Sequence, residues 1–155
     1  MKKLPFFFAM MSLGGVAVSS ADLTKGMESG APPMKSVSAL TFGPQGILFA
    51  ADPKGAAVFA IATGDNKRPD AAGKLEVEGL DTKVAALLGI GADELLIADL
   101  AINPASGNAY LSVMRGKGPD GVPALVRVSP GQEIELVELD GFKHSKLELA
   151  DAPED

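Results

Sequence analysis

Apolar positions along this chain come in short runs separated by turn residues, the texture of strands rather than of a helical bundle. Val37 to Phe42 alternates with small and polar residues, and Gly43-Pro44-Gln45-Gly46 reads as a turn. Ile47 to Ala51 is an apolar run ended by Asp52-Pro53-Lys54-Gly55, and Ala56 to Ile61 is a third run. The stretch from Thr63 to Gly73 is polar and carries Gly64, Pro69 and Gly73, so a loop is expected there. Lys74-Leu75-Glu76-Val77-Glu78 then alternates charge with apolar bulk, as a strand with one wet face does.

The same order returns later in the chain. Ala98 to Ile102 matches the first strand, Asn103-Pro104-Ala105-Ser106-Gly107 the turn, and Ala109 to Val113 the second strand. A glycine-rich loop from Arg115 to Pro123 leads to Ala124–Val128, the turn Ser129-Pro130-Gly131-Gln132, and the alternating run Glu133 to Leu139. Phe42 aligns with Ile102 and Pro44 with Pro104, an offset of 60 residues. A recurring turn signature marks an internal repeat. The expected fold is all-β, with two four-stranded antiparallel units at 37–78 and 98–139. Between them Asp81 is placed to cap a short helix near 82–88, with Gly89 past its end. Residues 22–36, with Pro32-Pro33, read as an extended leader, and residues 140–155 as an acidic connector or tail.

Units with a Gly/Asn-Pro turn after the first strand and Phe49-Ala50-Ala51-Asp52 at the end of the second resemble blades of the NHL, SMP-30 and quinoprotein-like β-propellers. Such rings close with several blades. The resemblance therefore implies an incomplete propeller, holding the N-terminal blades of a longer chain. A ring of several copies and a small two-sheet sandwich remain open alternatives.

The N-terminus carries an address. Met1-Lys2-Lys3 is basic, Leu4 to Val18 is almost wholly apolar, and Ser19-Ser20-Ala21 offers small residues to a signal peptidase. Cleavage between Ala21 and Asp22 fits a secretory signal at 1–21 and a secreted or periplasmic location. An apolar run of about 15 residues is shorter than the roughly 20 a bilayer span wants, so no stable span is expected after cleavage. The competing possibility is an uncleaved N-terminal anchor. Loss of Lys2 and Lys3 takes the net charge from −6 to −8, which disfavours nucleic acid as a partner. The absence of cysteine excludes thiolate metal clusters, disulfides and cysteine nucleophiles.

Candidate chemistry is sparse. The SMP-30-type resemblance implies a divalent cation, calcium or zinc, held by strand-end oxygens, and Asp52, Asp99 and Asn103 lie at such ends. The plainer role for Asn103 and Asp52 is turn chemistry next to Pro104 and Pro53. No resident cofactor is expected. Gly64-Asp65-Asn66 lacks the order of a calcium loop and reads as a solvated hairpin, and His144 reads as an exposed residue of the connector. Arg115, opening the glycine-rich loop, is the candidate ligand contact. The preferred function is an exported binding or scaffold protein with an unknown small ligand or protein partner, non-catalytic or catalytically incomplete. A metal-assisted lactonase or hydrolase is the enzymatic alternative. A small envelope protein that self-associates through open sheet edges is the third.

Overall fold

Two antiparallel sheets and one helix make up the protein, seen in a computed structural model that describes residues 22–68 and 74–150. The proposed signal segment and cleavage site at Ala21 lie outside the described residues. In chain order the elements are β1 (Glu28–Ser29), β2 (Leu40–Phe42), β3 (Ile47–Asp52), β4 (Ala57–Ala62), α1 (Leu80–Leu88), β5 (Leu95–Ile102), β6 (Ala109–Arg115), β7 (Val122–Val128), β8 (Ile134–Leu136) and β9 (Lys143–Glu148). The first sheet has the order β1-β9-β4-β3-β2 and the second β5-β6-β7-β8. The halves of the sequence therefore form separate sheets, and the all-β expectation holds.

Strand alternation sorts the side chains into layers. Leu48 and Ala50 on β3 and Phe59 and Ile61 on β4 bury one face of the first sheet against Tyr110, Met114 and Leu125 of the second. The opposite face of the second sheet, with Leu111 and Val113 from β6 and Val126 and Val128 from β7, is covered by Val84 and Leu88 of α1. Those two helix positions are four apart and share one face of the helix. The second sheet is thus the middle layer of three.

Four expectations need correction. Residues 74–78 are not a strand: Leu75 and Val77 pack onto the helix-side core while Lys74, Glu76 and Glu78 stay in water or half-buried, so a segment lying across a sheet shows the same alternation as one paired into it. The tail does not lead away. Its residues 143–148 form β9, which pairs along the whole of β4 from Ala62↔Lys143 to Ala57↔Glu148 and takes the place reserved for 74–78. His144 is consequently buried, and its Nδ1 lies 3.0 Å from the carbonyl oxygen of Gly30. Asp81 does not cap the helix. The N-cap is Gly79 in the left-handed region, φ 62°, with Asp81 in the first turn. The helix stop is as expected: Gly89 at φ 68° lets its own N–H reach Ala86 and that of Ile90 reach Ala85.

Candidate functional site

The two sheets converge where the backbone N–H of Leu40 donates to Asp99 Oδ2 at 2.8 Å. The Ser112 hydroxyl ties them again by donating to the Ser38 carbonyl at 2.6 Å. From there towards the start of β5 they diverge and leave a cleft of about 530 Å³. Val37, Leu96 and Met114 supply apolar surface, and Ser36, Lys54, Asp93, Glu94 and Lys117 contribute polar groups. Leu96 is 59% exposed and Met114 only 9%, so one marks the mouth and the other the floor.

The glycine-rich loop between β6 and β7 is held over this cleft. Gly116 and Gly118 take φ of 94° and 71°, values that side chains disfavour, and so carry the chain back across the opening. Lys54 Nζ donates to the Pro119 carbonyl at 2.8 Å, and Lys117 Nζ to Asp93 Oδ2 at 2.7 Å. The Lys117 hydrogen bond and charge hold the Asp93 carboxyl below its ordinary pKa, and Asp93 raises Lys117 in return. Both groups are exposed, so the pair orients the loop more than it stabilises the fold.

Sequence-derived site residues are distributed over separate hydrogen-bond networks. Asp52, 1% exposed, accepts from the N–H of Ser36 and Gly55 and the Ser36 hydroxyl at Oδ1, and from the N–H of Lys35 at Oδ2, all within 2.9 Å. Burial alone would raise its pKa; the Lys35 N–H, the Ser36 hydroxyl and the Gly55 and Ser36 N–H groups together outweigh burial and lower it. Asp99 accepts from Leu40 and Leu100 N–H, which lowers its pKa. Asn103 accepts from Ala105 N–H at 2.9 Å and donates through Nδ2 to the Asp65 carbonyl at 2.6 Å, the turn role expected before Pro104. Among the described residues no three His, Cys, Asp or Glu side chains gather as a metal site. Arg115 ends β6 with its side chain exposed. Its neighbours Met114 and Gly116 line the cleft and Arg115 does not, because β6 alternation turns it to the other face.

Comparison with protein-family models, curated proteins and solved structures found no match. The cleft therefore has to be read from its own groups. An apolar floor beneath paired lysine and carboxylate groups suits a small ligand with an apolar body and a polar end. Ser36, a hydroxyl in the lining, already donates to Asp52 and accepts from Lys54 N–H, and so is not poised as a nucleophile.

At the opposite turn end the solvated-loop expectation for Asp65 fails. Its Oδ2 accepts from Ser106, Asn108 and Tyr110 at 2.8, 2.9 and 3.1 Å, locking the loop after β4 onto the β5–β6 turn. Burial foremost pushes the Tyr110 phenol up to about 12, with the Asp65 charge adding to it and Arg127 opposing it.

Proposed function

We propose that the protein is an exported binding module that holds a small, partly apolar ligand in the cleft between its sheets. In this reading β2-β3-β4 and β5-β6-β7 are the inner three strands of two propeller-type blades, and β9 and β8 are their fourth strands. Support comes from the matching meander order and from the Gly43-Pro44 and Asn103-Pro104 turns at equivalent points. Export is supported by the basic, apolar and small-residue order of residues 1–21.

The observation that carries the binding reading is the cleft itself, apolar at Val37, Leu96 and Met114 and bridged at its rim by Lys54 and Lys117. The test is a titration with 8-anilinonaphthalene-1-sulfonate, an apolar body with one anionic end, followed by fluorescence and by amide shifts. Saturable one-to-one binding is expected, with shifts at residues 36–38, 93–96 and 114–118. Leu96→Asp, at an exposed position, abolishes binding and leaves thermal unfolding unchanged. Binding that is unaffected by Leu96→Asp, or no saturable binding, refutes the reading.

A further inference from the structure

We propose that β5 is an association surface: its free edge pairs with β5 of a second copy of this chain, antiparallel across a two-fold axis. A sheet edge presents unpaired N–H and C=O groups, and natural proteins guard it with short strands or charge. Three of the four edges here are guarded in these ways. β1 has two residues. β2 has three, and the N–H of its Leu40 is taken by Asp99. β8 has three residues, set among Glu133, Glu135 and Glu138.

The fourth edge is different. β5 has eight residues, about 26 Å of strand at the usual rise, and among the described residues it pairs only with β6. Leu96, Leu100 and Ile102 are 59%, 45% and 55% exposed along it. Its single charge is Asp99, whose carboxylate is already occupied by the N–H groups of Leu40 and Leu100.

Charge selects the occupant. The chain carries −6 overall, so two copies that approach through the Glu-rich β8 edge repel. At β5 they meet along an apolar row. A two-fold axis sets that row against itself, which makes the surface its own complement. The product is one continuous sheet from two four-stranded ones. The register irregularity between Ile97 and Asp99 divides the edge, so pairing centres on one side of it.

Sedimentation velocity of the purified protein, from about 1 μM to about 1 mM, tests this. A reversible dimer is expected, its dissociation constant raised at least tenfold by Leu100→Lys or Ile102→Lys, while Leu147→Lys on the outer face of the first sheet leaves it unchanged. Circular dichroism and melting verify that each variant is folded. Because the chain lacks cysteine, single substitutions report on geometry. Under mild oxidation Leu96→Cys, Leu100→Cys or Ile102→Cys, whichever lies nearest the axis, gives a disulfide-linked dimer, and Glu135→Cys does not. A protein monomeric across the whole range overturns the proposal. So does a dimer insensitive to the β5 lysines, a cross-link favouring position 135, or open-ended oligomers.

Discussion

Removing the Asp52 carboxylate should cost more than removing any surface charge. Asp52→Ala strips the acceptor from four donors: the N–H groups of Lys35, Ser36 and Gly55 and the Ser36 hydroxyl. Both Ser36 donors are buried and the other two are partly buried. At about 1 to 2 kcal/mol for each buried donor left without a partner, and less for those that water reaches, the loss is about 3 to 5 kcal/mol. That is a large part of the 5 to 15 kcal/mol typical of a domain. The pH dependence follows from the lowered pKa. A carboxyl with a depressed folded pKa stabilises the fold above its ordinary value of 3.8 and loses that contribution as pH falls through the folded value. Urea unfolding at pH 7 and at successive steps below pH 4 reads both effects: a wide gap between wild type and Asp52→Ala at pH 7 that narrows in acid. A loss under about 1 kcal/mol at pH 7, or parallel acid profiles for the two proteins, refutes the reasoning.

Tyr110 is the only tyrosine and tryptophan is absent, so phenolate absorbance reports it alone; its midpoint should lie near 12 in the folded protein against 10.0 unfolded. A phenol with a raised pKa lends stability that is full below the unfolded value and fades as pH climbs through the folded one. Asp65→Ala, which frees the partners of Ser106, Asn108 and Tyr110, should cost about 2 to 3 kcal/mol in urea unfolding and lower the Tyr110 midpoint. Ala56 sits at φ 44° in the β3–β4 turn, so Ala56→Gly should relieve strain and raise stability by about 0.5 to 1 kcal/mol in the same assay.

Elements made by neighbours in the chain were legible from the residue pattern. The hairpin of β3 and β4 follows from two apolar runs around Asp52-Pro53-Lys54-Gly55, and the meander β5-β6-β7-β8 from alternation punctuated by Asn103-Pro104 and Ser129-Pro130. The turn roles of Asp52 and Asn103 were visible too, since a short polar side chain beside proline reaches the backbone two or three residues away. The cleft was not. Val37, Leu96 and Met114 are scattered through the sequence and look like any strand residues until the sheets splay apart, and Leu95-Leu96 after Asp93-Glu94 was a faint signal at most.

The sequence by itself determined the strand and turn texture, the helix stop at Gly89 and the two-part repeat, because each depends on residues within a few positions of one another. Tertiary structure alone decided which segment completes the first sheet. Both Lys74–Glu78 and Lys143–Glu148 carry charges interleaved with other residues, and alternation records that a segment has two unlike faces without saying what lies beside it. The helix-side core took Leu75 and Val77, β4 took the tail, and His144 was buried as a result. Long-range pairing is settled by which backbone edge is left open once local elements have packed, and that is a property of the whole chain.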